Sequence, residues 1–190
     1  VCGEPLIFWT IKAASESKLL NDFYVSTEDC EIRDYCESLG VKVLHRPNEL
    51  ALDETTTIDT LHYHFCNDLP SSAAICTLQA TSPIRLTGTI DQCLKAYKLN
   101  SPFILASGYQ CKIQEFGENN NLPRQRIKGF FYDDGNIYVH SPRALIDKVW
   151  SSKDAYKFFT QEIESYEIDT ELDLKIVRNL LMNVRGNDGI

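Results

Sequence analysis

The sequence predicts an α/β domain, on two observations. Segments with the helical period alternate with short strands rich in aromatic and β-branched residues along the whole chain, at the spacing of βα units. The chain also has single-domain size: 190 residues with 43% hydrophobic and 24% charged positions, enough for one core to bury well over half of the unfolded surface. Such a composition excludes disordered and fibrous classes.

The elements are justified in order along the chain. Pro5 opens a helix to about Leu20, with Leu6, Trp9, Ala13 and Leu20 roughly on one face. Residues 23–26 read as a strand, and a helix from about Asp29 to Leu39 stops at Gly40. Residues 41–44 form the next strand. A polar loop to Glu54 leads into a helix from about Thr56 to Leu69, then a buried strand from Ala73 to Leu78. Thr87 to Leu99 is an amphipathic helix and Pro102 to Ala106 the following strand. From 108 to 134 the pattern gives way to polar and basic residues with Gly, Asn and Pro, including Asn119-Asn-Asn121, an excursion from the core. Asn136 to Val139 is a strand, Pro142 starts a short helix, and an extended stretch passes through Phe158 and Phe159. The last helix runs from Glu171 to about Val184. Thr170 and Asp173 form its capping-box pattern, and Leu172, Ile176, Val177, Leu180 and Val184 its core stripe.

Charge narrows the partners. With 27 acidic residues against 19 Lys and Arg, the net charge is -8, which disfavours wholesale binding to nucleic acid or an anionic membrane and favours a small, locally held ligand. No apolar run approaches the ~18 residues of a membrane span. Seven cysteines form an odd set without a Cys-x-x-Cys pair, so reduced thiols and a cytoplasmic location are expected. The only Met is Met182, so Val1 is not an initiator.

Three segments could carry chemistry. In Glu167-Ile168-Asp169 an extended backbone would point both carboxylates one way, with Cα atoms about 6 to 7 Å apart, while Ile168 faces the core. Such a pair can hold one Mg²⁺ that takes its remaining ligands from water and phosphate, and the same pattern also suits a solvated edge strand. Gln79-Ala-Thr-Ser-Pro-Ile-Arg85 follows the buried strand, where ligands of open α/β sheets bind; Gln79, Thr81, Ser82 and Arg85 offer hydrogen bonds, or the segment is simply a capped turn. Arg46-Pro-Asn-Glu-Leu-Ala51, leading to Thr55-Thr-Thr57 at a helix start, offers a planar guanidinium and free N–H groups, or is only a well-capped helix. His62 and His64 lie two apart on a helix, face different ways and cannot share a metal as an i, i+4 pair could.

Together, these segments resemble the N-acylneuraminate cytidylyltransferases. The resemblance runs through Gly3-Glu-Pro-Leu-Ile7, Val25-Ser-Thr-Glu-Asp29, Arg46-Pro-x-Glu-Leu-Ala51, Leu78-Gln-Ala-Thr-Ser-Pro-Ile-Arg85, Pro123-Arg-Gln125, Gly135-x-Ile-Tyr138 and Ile168-Asp-Thr-Glu-Leu-Asp-Leu174. It implies a three-layer Rossmann-like nucleotidyltransferase fold with a mostly parallel central sheet, a single domain over 1–190. It implies transfer of a cytidylyl group from CTP to a nonulosonic, sialic-acid-like sugar. By the same resemblance Glu167 and Asp169 hold the catalytic Mg²⁺, while Arg46, Thr55, Thr57 and Gln79 meet the nucleotide. Gln79, Thr81, Ser82 and Tyr138 meet the sugar. The 108–134 excursion implies a homodimer in which Arg124 and Gln125 reach the partner's site.

This chain departs from the family pattern at several positions. Glu167 stands where Asp is usual, Ala80 replaces Pro, and Tyr132 and Asp134 replace Arg and Asn near the sugar. An acidic Asp134 near an anionic sugar is unfavourable unless it is turned away or paired. The family's first strand and Gly-rich phosphate loop have no counterpart before Val1, so these 190 residues alone are expected to form little CMP-sugar. Legionaminic, pseudaminic or 3-deoxy-octulosonate substrates, and a catalytically incompetent nucleotide-binding or dimeric interaction module, are the alternative readings.

Overall fold

Gly40, with φ of 73°, turns the chain from a helix into the second strand of a parallel pair, and most other strands likewise follow a helix. The computed structural model describes residues 1–71, 73–118 and 121–187, without the side chains of 184–187. Its helices are α1 (Leu6–Glu16), α2 (Cys30–Ser38), α3 (Thr57–Asn67), α4 (Thr89–Asn100), α5 (Pro142–Ile146) and α6 (Glu171–Asn187). Its strands are β1 (Tyr24–Thr27), β2 (Lys42–His45), β3 (Ile75–Leu78), β4 (Ile104–Cys111), β5 (Phe130–His140) and β6 (Tyr156–Phe159).

Local chemistry accounts for the helix boundaries. The Asp29 carboxylate accepts the Ile32 N–H at 2.9 Å to start α2, and Thr56 accepts the Asp59 N–H at 3.4 Å to start α3. Thr170 and Asp173 make both arms of the expected capping box at α6, at 2.8 and 3.3 Å. α1 stops at Glu16, short of Leu20, because Ser17 is extended and Asp91 accepts its hydroxyl and the N–H groups of Lys18 and Leu19. In α6 the buried positions are Val177 and Leu181; Leu172 is exposed, and Val184 lies outside the described side chains.

Among the described residues the strands form two sheets, β1-β2 and β3-β5-β4-β6. The first is parallel, with Thr27 opposite His45 at its carboxyl end. The second corrects the expectation of a mostly parallel sheet. β4 and β6 are parallel, but β5 runs antiparallel to both β3 and β4. A parallel return needs a crossover, usually a helix, packed on a sheet face. Among its described residues the connection from β4 to β5 instead holds only a 3₁₀ turn, Arg124–Arg126, and Cys111 pairs with Phe130 as in a hairpin. Much of the expected excursion is therefore sheet: Gly108 to Cys111 pair with Asp133 to Phe130 beyond an irregularity between Ala106 and Gly108.

The core lies where α4 packs on this sheet, through Ile90, Cys93, Leu94, Leu105, Ile137 and Val139. A second cluster joins α1 to α6 through Trp9, Ile84, Val177 and Leu181, with Ile168 packed against it.

Candidate active site

Two loops meet beyond the carboxyl end of β3. The Ile168 N–H donates to the Thr81 carbonyl at 2.9 Å, which fixes the 167–169 segment against the segment after β3. Ser82 is fully buried, and its hydroxyl lies 3.2 Å from both the Gly135 carbonyl and Oε1 of Glu167. One hydroxyl proton serves one acceptor at a time, so the two bonds compete. Gly135 has φ of 63°, and a β-carbon there would overlap the Glu167 carboxylate. Glu167 is thus half-buried on a glycine backbone, while Asp169 is exposed.

The electrostatics are those of crowded acids. Burial pushes the Glu167 carboxyl upward, the Ser82 bond opposes this, and Asp169, Asp133 and Asp134 push it further up. Asp133 accepts the Tyr138 hydroxyl at 2.6 Å and the Gly135 N–H at 3.3 Å. Asp134 turns inward and accepts from Ser107 at 2.5 Å, Thr160 at 2.8 Å and the Asn136 N–H at 3.0 Å. Among the described residues no group of three or more His, Cys, Asp or Glu side chains is arranged to hold a metal. A carboxylate pair is nonetheless a donor set that suits Mg²⁺, which commonly takes one or two protein carboxylates beside water and phosphate. A cation here would also relieve the repulsion around Glu167.

A second group sits at the carboxyl ends of β1 and β2. Arg46 continues their ladder through its N–H to the Thr27 carbonyl at 3.1 Å. Its guanidinium donates to the Ser26 carbonyl at 2.6 Å and lies 3.4 Å from the Glu28 carboxylate. The Ser26 hydroxyl is 2.7 Å from Nε2 of His64, and Nδ1 of His64 is 2.6 Å from Asp68. The carboxylate can only accept, which puts a proton on Nδ1. This Asp68–His64–Ser26 chain supports the strand end that holds Arg46. The Thr55 hydroxyl donates to the Glu49 carbonyl at 3.3 Å, and Thr57 is exposed in the first turn of α3.

The remaining residues singled out from the sequence divide. The Gln79 carbonyl accepts from Arg85 at 2.7 Å and from Thr10 at 3.4 Å. Arg85, considered above as a ligand donor, is turned inward and also bonds Thr10 and the Asn136 carbonyl; burial brings its guanidinium down to about 10. It shapes the loop. Tyr138 is 5% exposed and packs on Trp150 with ring centroids 4.5 Å apart. Arg124 and Gln125 are exposed in their 3₁₀ turn, outside both groups. Sequence reasoning gave no role to Gly135, Asp133, Ser26, His64 or Asp68. Only the Asp133-Asp-Gly135 turn carried a local signal, since Gly follows acids in such turns.

The description Cytidylyltransferase belongs to the family model that matches residues 1–184. The chain is 28% identical over 207 residues to an N-acylneuraminate cytidylyltransferase of Streptococcus agalactiae serotype V, covering 97% of this chain and 47% of that protein. It is 37% identical over 222 residues to N-acylneuraminate cytidylyltransferase A of Danio rerio, covering 98% and 51%. It spans about half the length of these relatives. Among solved structures it is similar to a CMP:2-keto-3-deoxy-manno-octonic acid synthetase complexed with CTP, with a TM-score of 0.69 at 14% identity over 95% of this chain and 89% of that one. The 4-diphosphocytidyl-2C-methyl-D-erythritol synthase of Anaerococcus prevotii gives 0.67 at 10% identity, over 95% and 87%. At that identity the likeness shows the fold, an α/β nucleotidyltransferase fold. With its sequence matched by the model over residues 1–184, the chain belongs to the cytidylyltransferase family.

Proposed function

We propose that the chain carries the catalytic domain of an enzyme that transfers a cytidylyl group from CTP to the anomeric hydroxyl of a nonulosonic, sialic-acid-like sugar. The observation that carries this reading is the seating of Glu167 on Gly135 and Ser82, with Asp169 two residues on, in a cytidylyltransferase chain. Glu167 and Asp169 would hold Mg²⁺, which when bound neutralises charge on phosphate oxygens. Ser82 acts by positioning Glu167.

Arg46 offers its planar fork to the nucleotide, beside Thr55 and Thr57 at the start of α3. Gln79 and Thr81, on the loop tied to residue 168, meet nucleotide and sugar. Tyr138 sets Asp133 through its hydroxyl. As the sugar oxygen bonds to the α-phosphorus, the bond to pyrophosphate breaks and the hydroxyl gives up its proton to water. The chain's work in this step is positioning and charge control. Asp134 is fully buried and bonded to Ser107 and Thr160, so in this reading it does not face the sugar's own carboxylate directly.

The long β4-β5 hairpin is the dimerisation element in this reading, within one nucleotidyltransferase domain over 1–190. Ile113, Phe116, Phe130 and Tyr132 are exposed along it, an apolar surface suited to a second copy, and Arg124 and Gln125 lie on the same excursion. The cysteines are unpaired thiols, which suits the cytoplasm. Among the described residues no helix is long and apolar enough to cross a membrane. The test is to incubate the full-length protein with CTP, Mg²⁺ and each of a panel of nonulosonic acids and to weigh the products. A CMP-sugar with one or more of them supports the reading, and none with any of them overturns it.

A further inference from the structure

One face of α3 carries chemistry that the proposed reaction does not use. His62 and Cys66 are four residues apart and so share one helix face. Nδ1 of His62 lies 2.9 Å from the Leu145 carbonyl, and Nε2 lies 3.7 Å from the Cys66 sulfur. A carbonyl can only accept, so Nδ1 bears the proton and Nε2 presents a lone pair to the thiol. The helix backbone and the Leu145 contact thereby hold a nucleophile, a base and the group that orients the base.

This pair opens into a cavity of about 470 Å³, within the range of small-molecule sites. Leu50, Leu52, Tyr63 and Asn67 line it with the pair, as do Glu54, Asp59 and Lys148. Lys148 is 2.9 Å from Asp59, so its charge is answered and Glu54 leaves the wall net acidic. Of the residues assigned to the proposed active site, Thr55 lines it, while Arg46, Gln79, Glu167 and Asp169 do not. The cavity therefore adjoins the proposed nucleotide site at Thr55 and is not lined by the metal-holding pair.

We propose that Cys66 and His62 form a thiol-exchange site that takes small neutral or cationic disulfides into this cavity. The Cys66 proton passes to Nε2 of His62, and the thiolate attacks one sulfur of the reagent. A new S–S bond forms as the reagent's own S–S bond breaks, and the leaving thiolate takes the proton back from His62. One mixed disulfide and one free thiol result, with no other oxidant needed. The acidic wall selects against dianionic reagents.

Cys30 is the internal control, since Cys30 and Cys66 are both exposed. The full chain is treated with cystamine, a dicationic disulfide, and adducts at the two sites are followed by peptide mass mapping. Cys66 should react on the order of tenfold faster than Cys30, and His62→Gln should bring it close to the Cys30 rate. Equal rates at the two thiols of the unaltered protein overturn the proposal, and so does an unchanged Cys66 rate in a folded His62→Gln variant. The buried Cys36 and Cys93 report whether that variant is folded, because they react only if the core opens. If it is not, the ratio in the unaltered protein decides alone.

Discussion

Gly135 and Glu167 fit together only because residue 135 has no side chain: a β-carbon there would fall on the Glu167 carboxylate. The φ of 63° at Gly135 adds a second reason, since other residues pay for that conformation. Gly135→Ala should cost about 1–2 kcal/mol for the backbone alone, and more for the displaced carboxylate. Moving a catalytic group by a fraction of its length is also expensive in rate. We expect turnover to fall by about a hundredfold, checked by pyrophosphate release together with urea unfolding of the same variant.

The buried acids set a pH dependence of stability. Burial raises the Asp134 carboxyl above its ordinary 3.8, against the bonds from Ser107, Thr160 and Asn136, and burial likewise raises Glu164 above 4.5. A carboxyl raised in the folded state binds its proton more tightly there than when unfolded, so ionisation costs stability. For Asp134 the cost is absent below 3.8, grows as pH rises through the raised folded value, and is constant above it. Asp134→Asn removes that cost and keeps acceptors for Ser107 and Asn136, with the Thr160 hydroxyl turning to accept. Relative to the unaltered protein, the variant should gain stability as pH rises from 4 to 8. Urea unfolding across that range tests the slope, with exposed acids cancelling between the two proteins.

His64 is 3% exposed, and its Nε2 takes its partner from Ser26. Ser26→Ala orphans that nitrogen inside the protein and should cost about 1–3 kcal/mol, measured by the unfolding midpoint. The Ser26 carbonyl survives this change, so Arg46 keeps its anchor. Arg46→Lys, by contrast, keeps the charge but loses the fork, and should raise KM for CTP about tenfold while leaving KM for the sugar alone. The two variants separate stability at this strand end from nucleotide contact.

On the proposed dimer reading, the protein should sediment as a dimer, and replacing Ile113 and Phe116 together by Ser should make it sediment as a monomer. Neither side chain is buried within the chain, so its stability should change by less than about 0.5 kcal/mol.

The helix starts were legible because their signals are local: Asp29, Thr56 and the Thr170–Asp173 box each cap the helix expected of them. The packing of Ile168 toward the core was also legible. The direction of β5 was not, since the residues flanking the excursion give no sign that Tyr109 pairs with Tyr132. A motif also does not say which way its side chains turn. Ser82 and Arg85 sit in a segment expected to face ligand, yet both turn inward, one to Glu167 and one to the Gln79 and Asn136 carbonyls. The support of Arg46 by Ser26, His64 and Asp68 joins β1 to α3 across the fold and leaves no periodic trace.

Asp169 tests the central claim most directly, because it is exposed and its loss should leave the fold intact. Pyrophosphate release from CTP with the preferred nonulosonic acid and Mg²⁺ is to be compared in the full-length protein and its Asp169→Asn variant. The account predicts a loss of turnover on the order of a hundredfold or more at unchanged unfolding midpoint. Turnover within about twofold of the unaltered protein would contradict the assignment of Glu167 and Asp169 as the metal-holding pair.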